Sequence, residues 1–82
     1  MPPATITAEQ AFGAIVRELR EERDLSQEDL ALAAERHRTY ISLLERGRNS
    51  PSLKTIFQIA EVFGIKPSEL LERAEKLERS RR

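Results

Sequence analysis

Residues 26–53 read Ser26-Gln27-Glu28-Asp29-Leu30-Ala31-Leu32-Ala33-Ala34-Glu35-Arg36-His37-Arg38-Thr39-Tyr40-Ile41-Ser42-Leu43-Leu44-Glu45-Arg46-Gly47-Arg48-Asn49-Ser50-Pro51-Ser52-Leu53. This is a pair of short helices joined by a tight connection, followed by a basic loop. Ser26 is a good N-cap for the first helix, and Leu25 and Leu30 flank it at hydrophobic-staple spacing. Glu28 and Asp29 suit the positive end of its dipole. The second helix runs from about Arg38 to Glu45 or Arg46, with Gly47 as its stop signal. At about 100° per residue, Tyr40, Ile41 and Leu44 cluster on one side. Arg38, Thr39, Ser42, Leu43 and Arg46 fall on the other. The first set packs inward; the second, polar and cationic, is what a DNA groove would meet. Arginine can bond two guanine acceptors at once, and threonine can bond a base or touch a thymine methyl. Arg38 and Thr39 stand at the N-terminal end, the part that usually reaches base edges.

Outward from this pair the chain remains helical. A first helix spans about Ala8 to Arg23, capped by Thr7 with Gln10 at the capping-box position. Phe12, Ile15, Val16 and Leu19 mark its inner face. A fourth helix covers about Leu53 to Phe63, with Leu53, Ile56, Phe57, Ala60 and Phe63 along its inner side and Gly64 ending it. Ser50 and Ser52 are both candidate caps. The fifth opens with Pro67, well placed at a first helical position. It carries an apolar stripe of Leu70, Leu71, Ala74 and Leu77. Glu69–Arg73, Glu72–Lys76, Glu75–Arg79 and Glu78–Arg82 are i,i+4 pairs in the favoured orientation. Period-two alternation and hairpin turns are absent. The expectation is one all-α domain of five helices over residues 1–82, with a flexible start at residues 1–6 and a frayed end at residues 79–82.

Eighty-two residues suffice for one small domain. The net charge is zero, but it is unevenly placed. Residues 1–35 hold eight acids and three bases; residues 36–56 hold one acid and five bases. Phosphate responds to local potential, so the middle segment matters more than the total. The chain has no cysteine, which rules out disulfides and thiolate metal sites. His37, the only histidine, reads as a helix cap or phosphate contact rather than a metal ligand. No catalytic residue, metal or cofactor is expected, because Gly13, Gly47 and Gly64 are isolated and the carboxylates lie on exposed helical faces. No apolar run is long enough for a membrane span or secretory signal. A cytoplasmic protein is expected, with no membrane partner and no evident small-molecule ligand.

At these residues the chain resembles the lambda-repressor/Cro-like helix-turn-helix regulators, also called the xenobiotic-response-element family. The resemblance covers about Phe12 to Leu71. It rests on Leu25–Ala31, Tyr40-Ile41-Ser42, Leu44-Glu45-Arg46-Gly47, Asn49–Leu53 and Phe63-Gly64-Ile65, in that order and spacing. It implies a lambda-repressor-like fold and a dimeric, sequence-specific DNA-binding regulator of transcription, with double-stranded operator DNA as partner. It also implies roles. Arg38, Thr39, Ser42 and Leu43 match base-reading positions. Gln27, Arg46, Arg48 and Asn49 match positions on the DNA backbone, and Arg36 and His37 are placed with them. Glu45 matches a residue that bonds within the domain. Arg38–Ser42 with Glu45-Arg46 also resembles the controller proteins of restriction–modification systems. The chain departs from the pattern at Glu35, where glycine and positive φ are usual, at Arg36, where an aliphatic is usual, and at His37, where a serine cap is usual.

A homodimer is expected, held by Ile65, Leu70, Leu71, Ala74 and Leu77. The same stripe allows a different reading: an antitoxin-like or other protein-binding module that docks a partner through the fifth helix.

Overall fold

The computed structural model describes residues 5–82. Most of the expected flexible start, residues 1–4, lies outside the described residues. Five helices follow in order: α1 (Ala8–Glu22), α2 (Gln27–Ala33), α3 (Arg38–Glu45), α4 (Leu53–Phe63) and α5 (Pro67–Ser80). No strand occurs among the described residues. α5 continues through Arg79 and Ser80, into the stretch expected to fray.

The helix starts follow side-chain chemistry. Thr7 Oγ1 accepts from the Gln10 N–H at 3.0 Å while the Gln10 side chain accepts from the Thr7 N–H at 2.9 Å, a complete capping box. Ser26 and Asp29 form the same reciprocal pair on α2. The Ser26 backbone N–H, and then its hydroxyl, hold the Asp29 carboxyl below its ordinary range. Ser52, not Ser50, caps α4, accepting from the Thr55 N–H.

Four helices end in one way. The residues at Asp24, Glu35, Gly47 and Gly64 are left-handed, with φ of 53°, 56°, 72° and 71°. Each is followed by a long backward hydrogen bond: Leu25 N–H to the Arg20 carbonyl, Arg36 to Ala31, Arg48 to Leu43 and Ile65 to Ala60. This is the Schellman closure, which satisfies the last orphan carbonyls. Glycine serves it without strain at two sites; Asp24 and Glu35 carry a Cβ through it. Glu35→Gly should therefore stabilise the fold. Removing the Cβ clash relieves roughly 1–2 kcal/mol, and the added freedom of the unfolded chain takes back about 0.5–1 kcal/mol. A melting midpoint a few degrees higher is expected; a lower one would mean the turn is not strained.

The core joins Phe12, Ile15, Val16 and Leu19 of α1 to Leu30, Ile41, Leu44, Ile59, Phe63 and Leu70. α1 lies between α3 and α5. Arg23 ties its end to α4: Nε donates to the Phe63 carbonyl at 3.1 Å, and the guanidinium carbon sits 5.2 Å from the Phe63 ring centre.

Two expectations are corrected here. Leu53 and Phe57 do not face the core; they are 68% and 54% exposed. The buried line of α4 is Thr55, Ile59, Ala60 and Phe63. Thr55 can be buried because its hydroxyl is satisfied by Ser52 and Arg36. Ile56, Ala60 and Phe63 face inward as expected, and Thr55 and Ile59 take the buried places expected of Leu53 and Phe57. On α5, Leu70 is fully buried and Ala74 nearly so, both within the protomer's own core. Ile65 and Leu77 pack half-buried against it. Leu70 and Ala74 are thus unavailable to a partner, and Leu71, 43% exposed, is what remains open on the stripe.

Candidate nucleic-acid interface

The site is built around α3, whose two faces separate as the sequence predicts. Ile41 and Leu44 are fully buried and Tyr40 half-buried, whereas Arg38, Thr39 and Arg46 are exposed and Ser42 and Leu43 half-exposed. His37 caps the helix: its Nδ1 accepts from the Thr39 N–H at 3.3 Å. With Nδ1 an acceptor, a neutral ring carries its proton on Nε2, as a donor. Cap and outward donor are therefore compatible in one exposed side chain.

α3 is held from behind by a buried ionic cluster. Arg20 of α1 donates from Nε to Glu45 Oε2 at 2.7 Å and from Nη2 to Glu45 Oε1 at 3.0 Å. Its Nη1 donates to the Leu25 carbonyl at 2.8 Å. The two side chains are only 11% and 3% exposed. Glu45, through its hydrogen bonds, holds the Arg20 guanidinium above its ordinary pKa against the opposing effect of burial. Gln27 adds a third link, donating from Nε2 to Glu45 Oε1 at 3.1 Å. The Glu45 carboxylate thus joins the end of α3 to α1 and to the first residue of α2, and Arg20 carries the link on to the α1–α2 turn. Gln27 thus braces α3 and remains partly exposed.

Gly13 completes this support. A Cβ there would overlap the Leu44 carbonyl oxygen and stand 2.8 Å from that of Glu45. Gly47, whose Cβ would meet Gln10 Cγ at 2.5 Å, lets the turn after α3 close onto α1. The sequence reading missed Gly13 and Arg20. Arg20 was legible: it stands four residues after Val16 on the apolar face of α1, where a lone cation needs a partner. Gly13 was not, since a close approach of backbones leaves no mark in periodicity.

The remaining site residues divide. Arg48 is exposed just past the Schellman turn. Arg46 is exposed but curls over Ser42, with Nε 3.3 Å from its carbonyl and Nη2 3.4 Å from its hydroxyl. Such long contacts are weak and leave the cation free to re-pair. Arg36, expected on the DNA backbone, is engaged within the protein instead. Its Nη2 donates to Thr55 Oγ1 at 2.7 Å and to Gln58 Oε1 at 3.0 Å, its Nε is buried, and its guanidinium carbon lies 5.7 Å from the Tyr40 ring centre. The head group is spent inside the protein as a strut from the turn to α4. Asn49 turns its Oδ1 inward, where it is buried without a partner. Of the five bases between residues 36 and 56, Arg38, Arg46, Arg48 and Lys54 are exposed.

Two short helices joined through a left-handed turn, the second with a buried face and an open cationic one, define a helix-turn-helix domain. The helix-turn-helix family model matches residues 16–70, and the chain belongs to this family of DNA-binding regulators of transcription, which are not enzymes. It is similar to the HTH-type transcriptional regulator DdrOP3 of Deinococcus deserti, 48% identical over 60 residues, 73% of this chain and 46% of that protein. The chain thus matches about half the length of that relative. It is 44% identical over 62 residues to control protein C.BamHI of Bacillus amyloliquefaciens, covering 74% of this chain and 76% of that one. Among solved structures, the restriction-modification controller protein C.AhdI from Aeromonas hydrophila is 41% identical, with a TM-score of 0.72 over 74% of this chain and 92% of the other. The fold is the lambda-repressor-like one. No helix among the described residues is long and apolar enough to cross a membrane.

Proposed function

We infer that this chain is a sequence-specific regulator of transcription that lays α3 in the major groove of an operator, in the cytoplasm where that DNA is, with two copies on a two-fold site. The observation that carries this is the outer face of α3. Arg38 and Thr39 are free at its N-terminus, while its far end is locked by Glu45 to Arg20 and Gln27. A helix so held presents its leading side chains without ordering them at the moment of binding. Arg38, Thr39, Ser42 and Leu43 read base edges. Gln27, His37, Arg46 and Arg48 lie along phosphates, with the Asn49 amide beside them. Two reading helices one DNA turn apart, about 34 Å, suit a palindromic site. Residues 1–82 act as one DNA-binding domain.

The likeness to C.BamHI and C.AhdI favours the operon of a restriction–modification system as the regulated one. Dependence of an adjacent endonuclease promoter on this protein tests that directly. A protein-docking module using the fifth helix is not favoured, because Leu70 and Ala74 are consumed by the core.

Binding titrations separate the roles. Arg38→Ala should lose about 1–3 kcal/mol on the selected site and relax the preference at one base pair. Arg48→Ala should weaken selected and random DNA alike and flatten the salt dependence by about one unit of slope. If the two variants behave alike on both DNAs, the division into readers and backbone contacts is wrong.

A further inference from the structure

Glu45 anchors the far end of α3; a different device anchors its beginning. Arg36 lies between the left-handed residue Glu35 and the cap His37. Its Nη2 crosses from this turn to α4, donating to Thr55 Oγ1 at 2.7 Å and to Gln58 Oε1 at 3.0 Å. Thr55 is itself fixed, being buried and bonded to Ser52, the cap of α4. The guanidinium also lies over the ring of Tyr40, in the first turn of α3. These partners are all neutral, and Nε is buried with none. A cation so placed gives up hydration that no carboxylate returns, and an apolar side chain would fill the turn without that loss. Fold stability alone is therefore a poor account of an arginine here.

We propose that Arg36 is a positioning residue for base reading: it ties the leading end of α3 to α4, sets the approach of Arg38 and Thr39 to the groove, and so determines specificity without touching DNA. This role rests on the reading of α3 as the recognition helix. Hydrogen bonds to a base edge need their donors placed within roughly 0.5 Å and 10–20°. Arg38 stands about 10 Å from Glu45 along the helix axis, at 1.5 Å per residue, so a tilt of about 5° about the Glu45 anchor displaces it by about 1 Å. The same tilt scarcely moves Arg46 and Arg48, which lie beside that anchor. A guanidinium is suited to the task because its planar donors fix direction as well as distance. Two acceptors on α4 and a ring on α3 hold that plane.

The test compares wild type, Arg36→Met and Gln58→Leu by selection from a random DNA pool and by binding titration. Methionine keeps an unbranched, adaptable side chain and removes the donors. Gln58→Leu removes one acceptor and changes no charge. Arg36→Met should melt cooperatively near the wild-type midpoint. It should reduce the ratio of selected-site to random-DNA affinity by about 10-fold, within what one base contact supplies. The lost preference should fall at the base pairs read by Arg38 and Thr39 and spare the rest of the half-site. The salt slope on random DNA, which counts phosphate contacts, should stay as in wild type. Gln58→Leu should move the ratio in the same direction by a smaller factor. An equal loss on both DNAs overturns the proposal: with a flatter slope it makes Arg36 a phosphate contact, and with a lowered midpoint a stabilising residue only. A wild type with no sequence preference overturns the functional reading and this role with it. A wild-type preference that both variants share overturns this role alone.

Discussion

Gly13→Ala is expected to cost about 3 kcal/mol, the upper end of overpacking losses. The methyl would strike the Leu44 and Glu45 carbonyl oxygens. Both belong to backbone, so no rotamer change relieves the contact; α1 and α3 must part. The opposing effect is known in sign and size: alanine for glycine inside a helix gains about 0.8–1 kcal/mol. The overlap should win by a wide margin. A core this small leaves only roughly 3–5 kcal/mol of stability, so the variant should retain about 0–2 kcal/mol and unfold at a far lower midpoint. A urea melt gives the answer. A midpoint equal to or above that of wild type would show that α1 and α3 are not in backbone contact, and the position of α3 would have to be rebuilt.

Glu45→Ala should be comparably damaging, by about 3–5 kcal/mol, because it strands a buried arginine. Arg20 would keep its bond to the Leu25 carbonyl but lose both carboxylate contacts. Gln27 would lose its acceptor as well. Most of this loss reflects the uncompensated charge rather than the worth of the pair, and that has a measurable consequence. Arg20→Met combined with Glu45→Ala should be less destabilised than the sum of the single variants by about 1–3 kcal/mol. Strict additivity in the double-mutant cycle would mean that the two side chains do not meet. DNA binding should suffer in the Glu45→Ala variant even where the protein is kept folded by low temperature, since Gln27 and the end of α3 lose their common anchor.

What could be read from the sequence was local. Thr7 announced its capping box through Gln10, and Ser26 its cap through the Leu25–Leu30 staple; both caps form, and the reciprocal Asp29 bond on Ser26 went unread. The four acid–base pairs along α5 all close, at 3.0–3.7 Å, because i,i+4 geometry needs no tertiary information. The face of α3 was legible for the same reason. The positive φ at Glu35 was legible only through the family resemblance, because nothing in Glu35-Arg36-His37 marks a left-handed turn. Its twin at Asp24 went unread. The errors were tertiary. Arg36 and Asn49 are polar residues in a basic segment, and only the fold turns Arg36 toward Thr55 and Gln58 and the Asn49 oxygen inward. Leu53 and Phe57 are indistinguishable from core by hydropathy, whereas a threonine with two hydroxyl-bonding neighbours occupies the buried place they were expected to fill. Leu70 was correctly apolar and wrongly assigned, because a stripe states that a face is covered and not by what.

The central claim is that α3 reads bases through its leading residues. The direct measurement is selection of bound sequences from a random DNA pool, run in parallel on wild type and Arg38→Ala. Wild type should return a two-fold symmetric consensus, and Arg38→Ala should return the same consensus with one base pair per half-site made indifferent. Failure of wild type to enrich any sequence, or an identical consensus from both proteins, would contradict the account.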